Sequence, residues 1–152
     1  NFLIYLAFQN PNLMKKREPV SHIMTTDPYI LNLTDGLSHA EILFKRHKVR
    51  HLPVVSGEEI IGILSITDLA RISFVDSYDP NNFNVDTSIY SLFSLEQIMV
   101  RNPICIAPDT LIKDAAELFL KSEFHALPVV KNKKLLGILT TTDLIKYLLE
   151  QY

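Results

Sequence analysis

The apolar residues of this chain change their spacing in a fixed order, and that order occurs twice. In the first copy the short apolar run Tyr29–Leu31 predicts a strand. Apolar residues over positions 37–44 then recur at helical spacing. Two further runs, Leu52–Val55 and Ile60–Leu64, are separated by four turn-forming residues, which predicts a β-hairpin. A second helix follows, so each copy is a β-α-β-β-α unit and the fold class is α/β (α+β).

The second copy follows the first at a constant offset of 75 residues and without a gap. Residues 20–72 aligned with residues 95–147 are identical at 16 of 53 positions. The segments Leu52–Val55 and Gly62–Asp68 return as Leu127–Val130 and Gly137–Asp143. Internal repeats of this kind are units that cannot bury their apolar faces alone and must stack.

The repeats divide the chain into four parts. We place a first repeat at residues 19–72, a connecting segment at 73–94 and a second repeat at 95–149. The connecting segment carries five aromatic residues, so we expect part of it to pack. Residues 1–13 form an N-terminal extension that is apolar from Phe2 to Phe8. This extension is either the end of a secretion signal or sequence before a natural start at Met14, and we favour a non-native start.

Composition narrows the class of protein. The chain has 152 residues, of which 47% are apolar and 21% charged, as in an ordinary globular domain. A net charge of −2 predicts no general affinity for nucleic acid or membrane. The single cysteine, Cys105, excludes an internal disulfide and favours the cytoplasm. No segment has the ~20 apolar residues that a membrane span needs.

Both copies place hydroxyls and a carboxylate where the last strand gives way to the last helix. These residues are Ser65, Thr67 and Asp68 in the first copy, and Thr140, Thr142 and Asp143 in the second. Exposed N–H groups at a helix N-terminus favour a phosphate, whereas a carboxylate suits the two vicinal hydroxyls of a ribose. The alternative is structural: Thr67 and Thr142 are N-caps, and the aspartates stabilise the first turn.

Two other positions in each repeat predict local structure. Gly62 and Gly137 lie inside strands, where a missing side chain lets another backbone or a flat ligand approach closely. Thr34 and Asp109 precede the first helix of each repeat and are good N-cap residues.

With these motifs in both copies, the span from about Pro19 to Leu149 resembles a tandem pair of CBS domains, the Bateman module. The resemblance implies two lobes packed sheet to sheet with pseudo-two-fold symmetry, commonly as a homodimer. It also implies a regulatory module that binds AMP, ADP, ATP or S-adenosylmethionine in clefts between the repeats, requires no cofactor, and acts on a partner protein.

The same resemblance implies two clefts, each combining the polar motif of one repeat with the adenine wall of the other. The first cleft would contain Ser65, Thr67, Asp68, Val100, Ile104, Cys105, Phe124, His125 and Ala126. The second would contain Thr25, Tyr29, Ile30, Val49, Arg50, His51, Thr140, Thr142 and Asp143. We favour the second cleft because arginine binds phosphate through a planar fork, and the counterparts of Arg50 and His51 are His125 and Ala126.

The basic run at residues 45–51 has three interpretations: a nucleic-acid patch, a path for phosphate into the second cleft, or an exposed helix end. The last two are compatible, and no basic stripe interleaved with aromatics supports the first. His47 and His51 are four residues apart, but the helix is expected to end near Lys48, so we predict no metal site.

No catalytic constellation is evident, so we predict that the protein is not an enzyme. The rival to a ligand sensor is a dimerisation or scaffold module with vestigial clefts. Asp68 and Asp143 argue against such decay, whereas Ala126 argues for loss of one cleft.

Overall fold

The two sequence repeats do not coincide with the two compact units of the structure. A computed structural model describes residues 17–73 and 89–152. The contiguous unit spans Pro28–Pro103, and the divided unit combines the described residues up to Asp27 with Ile104–Tyr152. The residues that lead into each repeat therefore belong to the unit built around the other repeat.

The elements follow the order predicted from the sequence. In chain order they are a 3-10 turn (Val20–His22), β1 (Thr25–Thr26), β2 (Leu31–Asn32), α1 (Leu37–His47), β3 (His51–Ser56), β4 (Glu59–Ser65), α2 (Ile66–Ser73), a second 3-10 turn (Ile89–Leu92), α3 (Leu95–Ile98), β5 (Val100–Arg101), α4 (Ile112–Lys121), β6 (Ala126–Lys131), β7 (Lys134–Thr140) and α5 (Thr141–Leu149). The α/β (α+β) fold class with two β-α-β-β-α repeats is confirmed.

The contiguous unit has a mixed sheet in the order β2-β3-β4-β5. Strand β2 runs parallel to β3, while β3 and β5 are both antiparallel to β4. The β3–β4 hairpin closes at the pair Ser56 and Glu59, so its turn is shorter than the four residues expected. Gly57 occupies the left-handed region there, with φ 63°, which a glycine adopts without steric cost.

The divided unit has a similar sheet, and its edge strand β1 comes from the start of the first repeat. Strands β6 and β7 form its hairpin, and β1 pairs antiparallel with β7 through Thr25 opposite Ile138. The residues before β1 are also bound: Val20 N donates to Thr110 O at 2.8 Å, and Ile112 N donates to Glu18 O at 2.9 Å. These bonds hold the N-terminal leader (residues 18–27) against residues that lie more than 80 positions away in the chain.

Each unit encloses its own apolar core. The core of the contiguous unit is centred on side chains such as Leu31, Phe44 and Leu64, and that of the divided unit on Val20, Leu127 and Leu139. Tyr90, from the segment that connects the repeats, is 5% exposed and lies in the first core. The expectation that part of this segment packs is met at Tyr90, while Phe74, Tyr78 and Phe83 lie outside the described residues.

The predicted caps of the first helices are wrong. The N-cap of α1 is Gly36 and that of α4 is Leu111, so neither Thr34 nor Asp109 caps a helix. Asp35 accepts from Asn32 N at 2.7 Å and returns its own N–H to Asn32 O at 2.9 Å, which closes a turn before α1. Because Asp and Asn favour such local bonds, the helix begins after the turn.

The first strand of each repeat is also shorter than predicted. Tyr29 and Ile30 precede β2, which starts at Leu31. In the second repeat only Ile106 pairs, through a parallel bridge to Val129. The end of α1 agrees with the prediction, since the helix stops at His47 and Lys48 follows in the left-handed conformation at φ 53°.

The strand glycines make room for the two leaders, the residues at the start of each repeat (18–27 and 95–103) that belong to the unit built around the other repeat. A Cβ on Gly137 would lie 2.5 Å from the backbone oxygen of Thr25, and a Cβ on Gly62 would overlap the sulfur of Met99. The close approach predicted at these glycines is thus made by the leader of the other repeat: backbone at Gly137 and a side chain at Gly62.

These two contacts predict different costs for the same substitution. Gly137→Ala should lower the free energy of unfolding by about 1–3 kcal/mol, because a strand backbone cannot move aside cheaply. Gly62→Ala should cost less, since the Met99 tail is flexible and can adopt another rotamer. Urea denaturation of both variants measures the difference, and equal costs would contradict the proposed packing.

Candidate functional site

The polar motif of the second repeat forms a closed hydrogen-bonded cap on α5. Asp143 Oδ2 accepts from Thr140 N and from Thr140 Oγ1, both at 2.9 Å. In return Thr140 Oγ1 accepts from Asp143 N at 3.2 Å. This reciprocal arrangement is a capping box, and it satisfies N–H groups that a helix start otherwise leaves without partners.

The first repeat builds the same cap on α2. Asp68 Oδ2 accepts from Ser65 N at 3.0 Å and from Ser65 Oγ at 2.7 Å, and Ser65 Oγ accepts from Asp68 N at 3.0 Å. The other carboxylate oxygen, Oδ1, lies 3.6 Å from the guanidinium of Arg71, whose side chain is largely exposed. An exposed ion pair of this length is weak.

The caps correct one part of the sequence interpretation. The structural role predicted for Thr67 and Thr142 belongs to Ser65 and Thr140, which are the residues before α2 and α5. The hydroxyls of Ser65 and Thr140 therefore have a structural purpose. Thr67 and Thr142 lie two residues later, and both are exposed.

Capping leaves part of each motif available. A carboxylate can accept about four hydrogen bonds, and the two bonds to Asp143 both end on Oδ2. In the described ranges Asp143 Oδ1 has no hydrogen bond. Of the first three N–H groups of α5, Thr141 N donates to His125 O and Asp143 N to Thr140 Oγ1. The N–H of Thr142 is the remaining donor at this helix start.

The basic residues lie beside the polar motif of their own unit. Arg50 O accepts from Ile66 N at 2.9 Å, and His51 is paired with Ser65 across β3 and β4. In the divided unit the equivalent contacts join His125 to Thr141 and Ala126 to Thr140. Arg50 is exposed and His51 is half-buried, so the arginine head group is open to solvent near the start of α2.

Both predicted clefts draw residues from the two units. The contiguous unit holds Tyr29, Ile30, Val49, Arg50, His51, Ser65, Thr67, Asp68 and Val100, and the divided unit holds Thr25, Ile104, Cys105, Phe124, His125, Ala126, Thr140, Thr142 and Asp143. Within the divided unit the structure places Thr25 opposite Ile138, two residues before Thr140. The combination of residues from different units remains a prediction.

The predicted adenine walls differ in how much of their apolar surface is exposed. Tyr29, Ile30, Val100 and Ile104 are exposed apolar side chains. In contrast, Val49 packs against the core of the contiguous unit, and Phe124 against Phe119 with ring centroids 6.0 Å apart. Ala126 is buried. Cys105 is half-buried, and its burial raises the pKa of the thiol, which keeps it in the unreactive protonated form.

One residue of this region was missed in the sequence. The sequence places His47 on the first helix and in the basic run, but its ring stacks on Tyr29 with centroids 3.6 Å apart and planes inclined by 13°. His47 ends α1 and His51 begins β3, so the two histidines do not share a helix face. No cluster of three or more metal-ligating side chains occurs in the ranges that the structure describes.

The basic run is largely the end of a helix. Lys45, Arg46 and His47 form the last turn of α1, where positive charge complements the helix dipole. Lys45 also donates to Glu41 one turn earlier at 2.7 Å. This placement agrees with the interpretation as an exposed helix end.

The chain matches a known protein family over both repeats. The sequence profile of the CBS domain matches residues 20–74 and 95–150. The chain belongs to the CBS domain family. The two matches confirm the tandem CBS pair that the repeated motifs indicated. Every helix in residues 17–73 and 89–152 is too short or too polar to cross a membrane.

Solved CBS-pair structures share this fold. AcuB, a Vibrio cholerae protein connected with acetoin utilization, superimposes with a TM-score of 0.73 at 26% identity, covering 88% of this chain and 92% of AcuB. CBSX2, solved in complex with AMP, gives a TM-score of 0.72 at 25% identity, covering 88% of this chain and 97% of CBSX2. CBSX2 has also been solved as the protein from Arabidopsis thaliana.

Relatives with known sequences differ widely in length. A 17.7 kDa protein of Acidianus ambivalens is 27% identical over 86% of this chain and 73% of its own length. MJ1225 of Methanocaldococcus jannaschii is 28% identical over 87% of this chain and 48% of its own length. A homoserine O-acetyltransferase of Methanohalobium evestigatum is 29% identical over 88% and 24% respectively. The chain thus spans less than half of two of these relatives.

The capping geometry predicts unequal effects of removing two neighbouring hydroxyls. Thr140→Val should lower the free energy of unfolding by about 1 kcal/mol, because it removes the side chain that caps α5. Thr142→Val is the matched control and should change stability by less than about 0.5 kcal/mol, as expected at an exposed position. Chemical denaturation measures both values; a larger loss for Thr142→Val would contradict the assignment of the cap.

Proposed function

We propose that this CBS pair is a regulatory, non-catalytic module that binds an adenosine-type ligand: AMP, ADP, ATP or S-adenosylmethionine. The observation that carries the proposal is that the two carboxylate oxygens of the aspartate at a helix start have different surroundings. One oxygen holds the cap, while the other, in Asp143, is without a hydrogen bond among the described residues. The AMP complex of CBSX2, which is 25% identical, supports this ligand class.

The α5 start offers two kinds of contact that an adenosine ligand needs. Asp143 Oδ1 can accept from the vicinal hydroxyls of a ribose, and hydrogen bonds to a charged acceptor contribute about 1.5–3 kcal/mol. The Thr142 N–H and hydroxyl can donate to a phosphate, which the positive end of the helix dipole also favours. The cap fixes the aspartate in one orientation, so that little side-chain entropy is lost on binding.

Arg50 is the proposed phosphate-binding cation. Its backbone is held by the bond from Ile66 N, while its side chain is exposed. A guanidinium binds two phosphate oxygens at once. The equivalent position in the second repeat is His125, followed by the buried Ala126. The grouping of Arg50 and His51 with Thr142 and Asp143 in the favoured cleft stays a prediction from the sequence.

The binding signal would be passed to a partner protein, and one contact supports a route. Helix α5 starts at the Thr140 cap, and Tyr147 on that helix donates to Glu18 Oε2 at 2.7 Å. Glu18 belongs to the N-terminal leader, and its carboxylate raises the pKa of Tyr147 to about 12 because it accepts the phenol hydrogen. A displacement at the start of α5 would therefore change its contact with the N-terminal leader.

A cytoplasmic location remains a prediction from the single cysteine.

A dimerisation or scaffold role is the second candidate, and a specific surface favours it. Ile145, Leu148 and Leu149 lie on one side of α5 and are each more than half exposed. Their spacing of three and four residues is that of a contact stripe between helices. A homodimer through this stripe is compatible with ligand binding, but a scaffold alone would not respond to nucleotides.

Thermal unfolding with AMP, ADP, ATP and S-adenosylmethionine separates the two candidates. A ligand at about 100 times its dissociation constant stabilises the folded state by roughly 2.7 kcal/mol, so the melting temperature should rise by several degrees. Asp143→Asn should abolish most of this rise, because it keeps an oxygen for the cap but replaces Oδ1 by a donor that has no charge.

Asp68→Asn is the matched control and should retain the ligand-induced shift. If it abolishes the shift while Asp143→Asn does not, the ligand is held by the motif of the first repeat instead. No shift with any of the four compounds at millimolar concentration would leave the scaffold role and exclude the sensor.

A further inference from the structure

Tyr29 has one ring face covered by another ring, while about half of the residue is exposed to solvent. The His47 ring lies 3.6 Å from the Tyr29 ring and nearly parallel to it, yet Tyr29 remains 49% exposed. Both residues belong to the contiguous unit. A flat aromatic ring with one free face is a surface on which a purine base can stack.

The position of His47 is fixed by the rest of α1. Phe44, one turn earlier, is buried in the core of the contiguous unit and anchors the helix on the sheet. Lys48 then takes a left-handed conformation, with φ 53°. This conformation is unfavourable for a residue that is not glycine. The helix therefore ends at a defined residue, and the last ring on it is the one against Tyr29.

The second repeat folds without this pair of rings. At the constant offset of 75 residues, Ile104 occupies the place of Tyr29 and Ser122 that of His47. The hairpin and the two longer helices of the second repeat nevertheless match those of the first. The stacked pair is thus not required to form a CBS unit, so folding of the unit does not explain its presence.

We propose that His47 is a positioning residue that holds the Tyr29 ring flat for the purine base of the ligand. The inference rests on the proposed function, and it adds a residue that acts only through Tyr29. A ring already stacked on one side has fewer rotamers to lose when a base stacks on the other. The role is specific to the base, because His47 has no part in holding the ribose or the phosphate.

Calorimetric titration with AMP and with ribose 5-phosphate, which has no base, tests this role. His47→Leu should weaken AMP binding about three- to tenfold, in the range of one aromatic contact, and leave ribose 5-phosphate unchanged. His47→Phe keeps a flat ring and should restore AMP binding. Unchanged or tighter AMP binding by His47→Leu would overturn the inference, and so would an equal loss for both ligands.

A double-substitution cycle separates positioning from general damage to the fold. Tyr29→Leu should weaken AMP binding at least as much as His47→Leu, and the double variant should show no further loss, because His47 acts through Tyr29. Additive losses would overturn the inference while leaving the proposed function intact. If the unsubstituted protein binds none of AMP, ADP, ATP and S-adenosylmethionine, both the positioning role and the proposed function are wrong; if it binds one of the other three but not AMP, the same titrations are made with that compound.

Discussion

The hydrogen bonds between Thr140 and Asp143 are the constraint on which the rest of the site depends. A helix that begins directly after a strand must satisfy its first N–H groups within a single turn. The cap satisfies Thr140 N with one carboxylate oxygen and Asp143 N with the hydroxyl, and it thereby fixes the direction of the other oxygen. Structural and ligand-binding explanations of this aspartate are therefore not exclusive, since the bond that caps the helix also orients the acceptor.

A second constraint is the exchange of leaders between the units. The chain crosses from one unit to the other after Asp27 and again after Pro103. Asp27 and Asn102, at equivalent places in the repeats, both have positive φ, 48° and 46°. Asp and Asn are among the residues that tolerate this region best. The exchange also explains both strand glycines, because the leaders approach β4 and β7 where a side chain would collide.

The sequence predicts those features that depend on local apolar spacing and on turn-forming residues. The repeats, both hairpins and the end of α1 follow from apolar spacing and turn residues, and the structure agrees. The predicted cap at Thr34 is wrong because a local turn, held by Asp35, competes with the helix start. In the second repeat a turn from Thr110 N to Ala107 O lies before α4, and the helix begins after it. The exchange of leaders could not be predicted, since a strand of two residues carries no signal of its partner. The Tyr29–His47 stack depends on tertiary placement. The sequence shows only that the second repeat has no rings at the equivalent positions, Ile104 and Ser122.

The central claim is that an aspartate which caps a helix also accepts a ribose diol. The most direct measurement is the affinity of the unsubstituted protein for AMP and for 2′-deoxy-AMP, determined by the same titration calorimetry. Loss of one hydroxyl bonded to a charged acceptor should weaken binding by about tenfold or more. Equal affinity for the two nucleotides would show that the carboxylate serves only the helix, and it would contradict the account.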